Sequence, residues 1–134
     1  MRFVSRFFLV ALAAFGSGCG KPAPNVNIMV CPDPTAGCRL QLGTEGVVVR
    51  FSESPRAMRP FVIEVDAPRA VAVVADFTMP GMDMVPNRYD LARAPDGHWR
   101  AKVVLPVCIS GGADWSLAVT VGDRTASVPF SVGK

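Results

Sequence analysis

The sequence has one histidine and one tyrosine. It also has no run of lysine and arginine interleaved with aromatics, which removes the ordinary signs of a nucleic-acid surface. A lone histidine, His98, has no recognisable partner in sequence. Nucleophilic catalysis needs a base that is itself oriented by a third group, so the residues do not read as those of an enzyme. The carboxylates are scattered, and none pairs with another on a shared face outside turns; only Asp83 is placed suggestively. Past residue 18 no apolar stripe of helical period runs longer than two turns, which argues against a helical bundle. The apolar run at residues 7–15, FFLVALAAF, is too short to span a bilayer as a stable helix.

What is present begins with that run. Arg2 and Arg6 precede it and the small residues Gly16-Ser17-Gly18 follow, the pattern of a secretory signal. Small residues ending in Cys19 resemble the lipobox of bacterial lipoproteins. The resemblance implies removal of residues 1–18, acylation of Cys19 and attachment to the bacterial cell envelope with the domain in the periplasm. Gly20 after the cysteine resembles an outer-membrane address. Residues 19–27 then form the lipidated cysteine and a proline-containing tether, and residues 28–134 form the domain. Loss of Arg2 and Arg6 leaves 14 − 2 = 12 basic against 11 acidic residues, a net charge of +1. The remaining 134 − 18 = 116 residues suffice for one domain with its own core.

The domain reads as strands. Val47, Val49 and Phe51 alternate with polar or outward positions, as do Phe61, Ile63 and Val65. The same holds for Val71, Val73, Ala75 and Phe77, and for Trp99, Ala101, Val103 and Leu105. Trp115, Leu117, Val119 and Val121 continue the pattern, followed by Ala126, Val128, Phe130 and Val132. Period two rich in β-branched residues predicts half-buried strands, and turn signals separate them. The prediction is an all-β, immunoglobulin-like antiparallel sandwich of about seven strands. Pro129 marks an edge strand. Pro95-Asp96-Gly97 suits a three-residue hairpin loop. Pairing from it sets Leu91 opposite Ala101, Asp90 opposite Lys102 and Pro86 opposite Pro106, and puts Met84 beside Cys108. His98 falls at the hairpin tip, far from that end, as a solvated residue beside a turn.

The chemistry concentrates in residues 77–91. Three of the six methionines, Met79, Met82 and Met84, fall there within six residues. Met79-Pro80-Gly81-Met82 reads as a type II β-turn, with proline presetting φ at the second position and glycine accepting positive φ at the third. Such a turn lets three thioethers converge. Thioethers are soft ligands and select chiefly Cu(I). The other reading is that the methionines are adaptable packing.

With Cys19 acylated, Cys31, Cys38 and Cys108 remain in an oxidising compartment where a disulfide is expected. Three thiols allow one bridge. Cys31 with Cys38, across a turn-rich loop, leaves Cys108 free to join the methionines as a metal ligand. A bridge from Cys108 to Cys31 or Cys38 gives Cys108 a structural role instead.

Residues 61–132 resemble the YtkA-like and FixH-like domains of bacterial envelope proteins. The likeness is carried by the Met-rich turn at 79–84, by Tyr89-Asp90-Leu91, by Gly97-His98-Trp99 and by Gly112-Ala113-Asp114-Trp115-Ser116-Leu117. It implies an immunoglobulin-like periplasmic sandwich associated with copper supply or oxidase assembly. Two functions follow as expectations. One is an anchored lipoprotein that binds or relays Cu(I); the other is a metal-free module that docks on an envelope protein partner.

Overall fold

The computed structural model describes residues 27–107, 109 and 111–133. The expected signal, the expected acylation site Cys19 and the expected tether up to residue 26 lie outside the described residues, and so does Cys108.

The chain is all-β. In order it forms β1 (Asn27–Ile28), β2 (Cys38–Leu42), β3 (Glu45–Phe51), β4 (Phe61–Asp66) and β5 (Val73–Thr78). There follow β6 (Asn87–Asp90), β7 (Ala92–Arg93), β8 (Trp99–Val103), β9 (Asp114–Val121) and β10 (Arg124–Ser131). One sheet has the order β1-β10-β9-β5-β6 and the other β2-β3-β4-β8-β7. All pairings are antiparallel except β1 with β10. The neighbours β3-β4-β8-β7 against β5-β9-β10 are those of the immunoglobulin sandwich, with β1, β2 and β6 added at the edges. The expected seven or so strands are that framework, and the edge additions bring the described residues to ten strands. The additions are short: β1 starts at Asn27, the last residue assigned to the tether, and β2 opens at Cys38.

Alternation explains the two layers. Phe61, Ile63 and Val65 of β4 face inward with Val47, Val49 and Phe51 of β3, and meet Val73, Ala75 and Phe77 of β5 and Leu117 and Val119 of β9 in a single core. No polar or charged side chain among the described residues is buried. Val71 is a correction: it was placed in the inward set but is 91% exposed, because β5 begins only at Val73. Pro129 behaves as expected of an edge, since the outer side of β10 is covered by β1 only at Ala126 and Ser127.

The hairpin register holds at its tip and fails above it. Ala92 pairs with Arg100 and Arg93 with Trp99, and Ala94 N–H donates to the His98 carbonyl at 2.8 Å. At Leu91 the chain changes sheets. Leu91 N–H donates to the Val73 carbonyl at 2.9 Å, and Asp90, Tyr89, Arg88 and Asn87 pair with Val74, Ala75, Asp76 and Phe77 of β5. The expected pairing of Asp90 with Lys102, and its continuation to Pro86 opposite Pro106, is therefore incorrect.

Strand directions define two ends. The near end carries the turns at Gly43, Gly97 and Gly122, and it is there that Asn27 enters the fold, level with Ala126 near the start of β10. The far end gathers the loops at 52–60, 79–86 and 104–113. Just inside it, Phe51, Phe61, Phe77 and Phe130 pack ring against ring, with centroids 5.0 to 6.4 Å apart. Tilted and edge-on aromatic contacts of this kind fix a stiff layer beneath the loops.

Candidate functional site

The loop after β5 turns as the sequence predicts. Met82 N–H donates to the Met79 carbonyl at 3.2 Å, and Gly81 has φ of 81°, the geometry of a type II turn. A second tight turn follows, in which Met84 N–H donates to the Met82 carbonyl at 3.2 Å. The three methionines line one open pocket of about 500 Å³, together with Pro106, Val107, Ile109 and Trp115.

The methionines occupy different depths. Met79 continues the inward set of β5, belongs to the core and is 5% exposed. Met84 is half-buried against the core, and Met82 at the mouth is 43% exposed. The floor is set by strands: Met79 leaves β5, and Trp115, 2% exposed, sits on β9 beside Phe130 of β10. The opposite wall is the segment leaving β8. Tyr89 and Asn87 hold that segment by hydrogen bonds to Val104, at 3.0 and 2.8 Å to its carbonyl.

The pocket's chemistry is narrow. Among the described residues that line it, none carries a charged or hydroxyl side chain; sulfur is the one soft side-chain donor they offer. Asp83, between two of the methionines, is exposed and does not line the pocket. Elsewhere among the described residues, no group of three His, Cys, Asp or Glu side chains is placed to hold a metal ion.

The remaining expected residues fall as follows. Cys108 lies outside the described residues, but both its neighbours, Val107 and Ile109, line the pocket. Cys31 and Cys38 form a disulfide with Cα atoms 5.6 Å apart. That bridge engages both thiols that the rival pairing would have offered to Cys108. His98 is at the near end, away from the pocket. It is partly covered rather than fully solvated: its side chain is 35% exposed, and Nδ1 lies 3.9 Å from Asp66 Oδ1.

Trp115, Pro106, Val107 and Ile109 were not singled out from sequence as pocket residues. In sequence Trp115 reads only as a core residue of its strand. A signal for the others was available, since an apolar run with proline directly after a strand forms a loop that has nothing behind it to bury against. The lining residues Val107 and Ile109 are 62% and 104% exposed, and Val85, next to Met84 in the chain, is 87% exposed. Comparison of the chain with family models, with curated proteins and with solved structures gave no match.

Proposed function

We propose that this chain is an envelope-anchored bacterial lipoprotein, held by acyl chains on Cys19, that binds or relays Cu(I) through Met79, Met82 and Met84. Cys108 is the additional sulfur ligand. The observation that carries the reading is the pocket itself: three thioether side chains, brought together by two consecutive turns, line one cavity whose other described lining residues carry no charged or hydroxyl side chain. A hard divalent ion would lose its hydration there without gaining oxygen ligands, whereas thioethers match a soft monovalent ion. The graded exposure from Met82 to Met79 supports it further, as one donor stands at the mouth and another at the floor. Position supports it too. The tether joins at the near end, and the pocket opens at the other, roughly 17 Å beyond Ala126 along β10. The mouth therefore lies away from the point of anchorage.

The test is a Cu(I) competition titration of the mature domain against a chromophoric chelator under reducing, oxygen-free conditions. Wild type should withhold Cu(I) from the chelator, and a variant with all three methionines changed to Leu should not. Equal behaviour of the two ends the copper reading. The anchor is tested separately: Cys19→Ala should release the protein from membranes or block its processing, and unchanged membrane fractionation rejects lipidation.

A second reading, a metal-free module for an envelope protein partner, is favoured by the exposed Val107 and Ile109 of the pocket lining and by the exposed Val85 beside Met84. Apolar side chains grouped at one end of a domain mark interaction surfaces.

A further inference from the structure

We infer that Met82 is an oxidation site: a peroxide converts its thioether to the sulfoxide, and the methionine pocket then lacks its outermost soft ligand until a methionine sulfoxide reductase restores it. This inference rests on the soft-metal reading of the pocket and adds the regulation of that site.

Exposure sorts the methionines. Among the described residues Met58, at 62%, and Met82, at 43%, are the exposed ones. Met29 and Met84 are half-buried, and Met79 belongs to the core. Of the three that line the pocket, an oxidant dissolved in water therefore meets Met82 first. The preceding residue does not crowd its approach: a Cβ added at Gly81 would find no atom within 4 Å, so the turn stands clear of the rest of the fold there.

The reaction closes on the side chain. A sulfur lone pair attacks one oxygen of hydrogen peroxide, the O–O bond breaks, and the departing hydroxide takes the remaining proton to leave as water. Sulfur gives up two electrons and keeps one oxygen; the peroxide accepts the two electrons. Two thiols of a methionine sulfoxide reductase reverse the step, releasing the oxygen as water and ending as a disulfide.

The position of Met82 decides what the product does. A sulfoxide is polar, and its oxygen is a hard donor that does not suit Cu(I). At the mouth that oxygen keeps its water. At Met79 it would be buried among described residues that offer it no charged or hydroxyl partner, at the cost of an unsatisfied polar group in the core. The turns around Met82 do not depend on its side chain, because both are closed by backbone bonds, Met82 N–H to the Met79 carbonyl and Met84 N–H to the Met82 carbonyl. Oxidation at Met82 thus removes a ligand and leaves the fold in place, which makes it reversible in function.

Ligation and oxidation also compete for the same sulfur electrons. A bound soft cation shields Met82 from peroxide, so the empty site is the sensitive form. Met58 is more exposed still but lines neither the methionine pocket nor the cavity beside it, and a cation in the pocket gives it no cover. It is the internal control.

The experiment uses the mature protein, with Ag(I) as a redox-inert soft cation. Graded hydrogen peroxide followed by peptide mass mapping should place one oxygen on Met58 and on Met82 well before Met84, with Met79 unmodified. Ag(I) should protect Met82 and leave Met58 unprotected. Peroxide-treated wild type should bind Ag(I) as weakly as Met82→Leu, keep its thermal midpoint, and regain affinity on treatment with methionine sulfoxide reductases and a dithiol. Met82→Leu given the same peroxide should lose no further affinity. Four results would each overturn the inference while the methionine site stands: Met79 or Met84 oxidising as fast as Met82; Ag(I) affinity unchanged with Met82 oxidised; a lowered midpoint with Met82 the single oxidised pocket residue; or an equal fall in Met82→Leu, which assigns the switch to another sulfur, Cys108 included. If unoxidised wild type binds Ag(I) no better than the triple Leu variant, the methionine reading itself fails.

Discussion

The hydroxyl of Tyr89 engages both backbone groups of Val104: it donates to the carbonyl at 3.0 Å and accepts the N–H at 3.1 Å. Tyr89 belongs to β6 in one sheet, and Val104 follows β8 in the other, so this pair ties the sheets together where the pocket wall begins. Tyr89→Phe keeps the ring, which stands edge-on to Phe77 with centroids 6.0 Å apart, and removes only the hydroxyl. The expected loss is about 1 kcal/mol in denaturant unfolding. It should be accompanied by faster amide exchange in residues 104–107. An unchanged exchange rate there would show that the Asn87 bond to the Val104 carbonyl suffices.

Met82→Leu separates ligation from packing. Leucine keeps the bulk, Met82 is 43% exposed, and exchange of Met for Leu usually costs under about 1.5 kcal/mol. Cu(I) affinity should fall while the thermal midpoint barely moves. Met79→Leu should weaken both, because Met79 is core as well as candidate ligand. Cys108→Ser should weaken Cu(I) binding further, since a thiolate is the ligand form of cysteine. Equal Cu(I) affinity of Met82→Leu and wild type would remove Met82 from the site.

At the near end, the Arg100 guanidinium, 2.6 Å from Asp96 Oδ2, and the His98 N–H hold the Asp96 carboxyl below the usual range. A depressed folded pKa gives stability that is present above the unfolded value, about 3.9, and lost as pH falls through the folded one. Asp96→Asn can still accept the His98 N–H but has no charge. Wild type should be the more stable at neutral pH, and the two should converge as pH drops below the ordinary carboxylate range. Asp96 is exposed, so the difference is small and should shrink with added salt. A constant gap from pH 7 to 2 would assign the effect to something other than the ion pair.

The Cys31–Cys38 bridge closes a loop with a sequence separation of 7. Chain entropy for so short a loop predicts a loss of about 2–3 kcal/mol on its removal. Replacing both cysteines with Ser should lower the unfolding midpoint accordingly without altering Ag(I) binding, because neither cysteine lines the methionine pocket. Coupled loss of metal affinity would instead connect the two sulfur centres.

Much of this architecture is legible in sequence, for a simple reason. Phe61, Ile63 and Val65 alternate with partly covered or exposed positions because one face of β4 meets the other sheet and one does not. Pro80-Gly81 announces its turn because the required φ values are local properties. The misreadings arise where local pattern is ambiguous. Tyr89 and Leu91 point to the interior on either sheet, so their alternation fits pairing with β8 as well as with β5, and only tertiary packing makes the chain switch at Leu91. Two-residue β1 lies in a stretch with no periodicity to read, and β2 follows directly on a turn-rich loop. The three methionines were visible as a cluster. Trp115 as their neighbour was not, because a buried indole beside a cavity and one in solid core share the same pattern.

The parallel pairing of β1 with β10 has a mechanical consequence. Any pull on the chain ahead of Asn27 acts along the axis of β1 toward the near end, so the bonds joining it to β10 are loaded together, in shear, rather than peeled one after another. If β1 slips, the force passes through residues 29 and 30 to Cys31, and the disulfide hands it to Cys38 at the start of β2, in the opposite sheet. Covalent transfer of load from one layer to the other makes both sheets share the tension. The loop at 79–86 and the pocket-lining Pro106 and Val107 lie off that line of force, so the methionine pocket is insulated from tension applied ahead of Asn27.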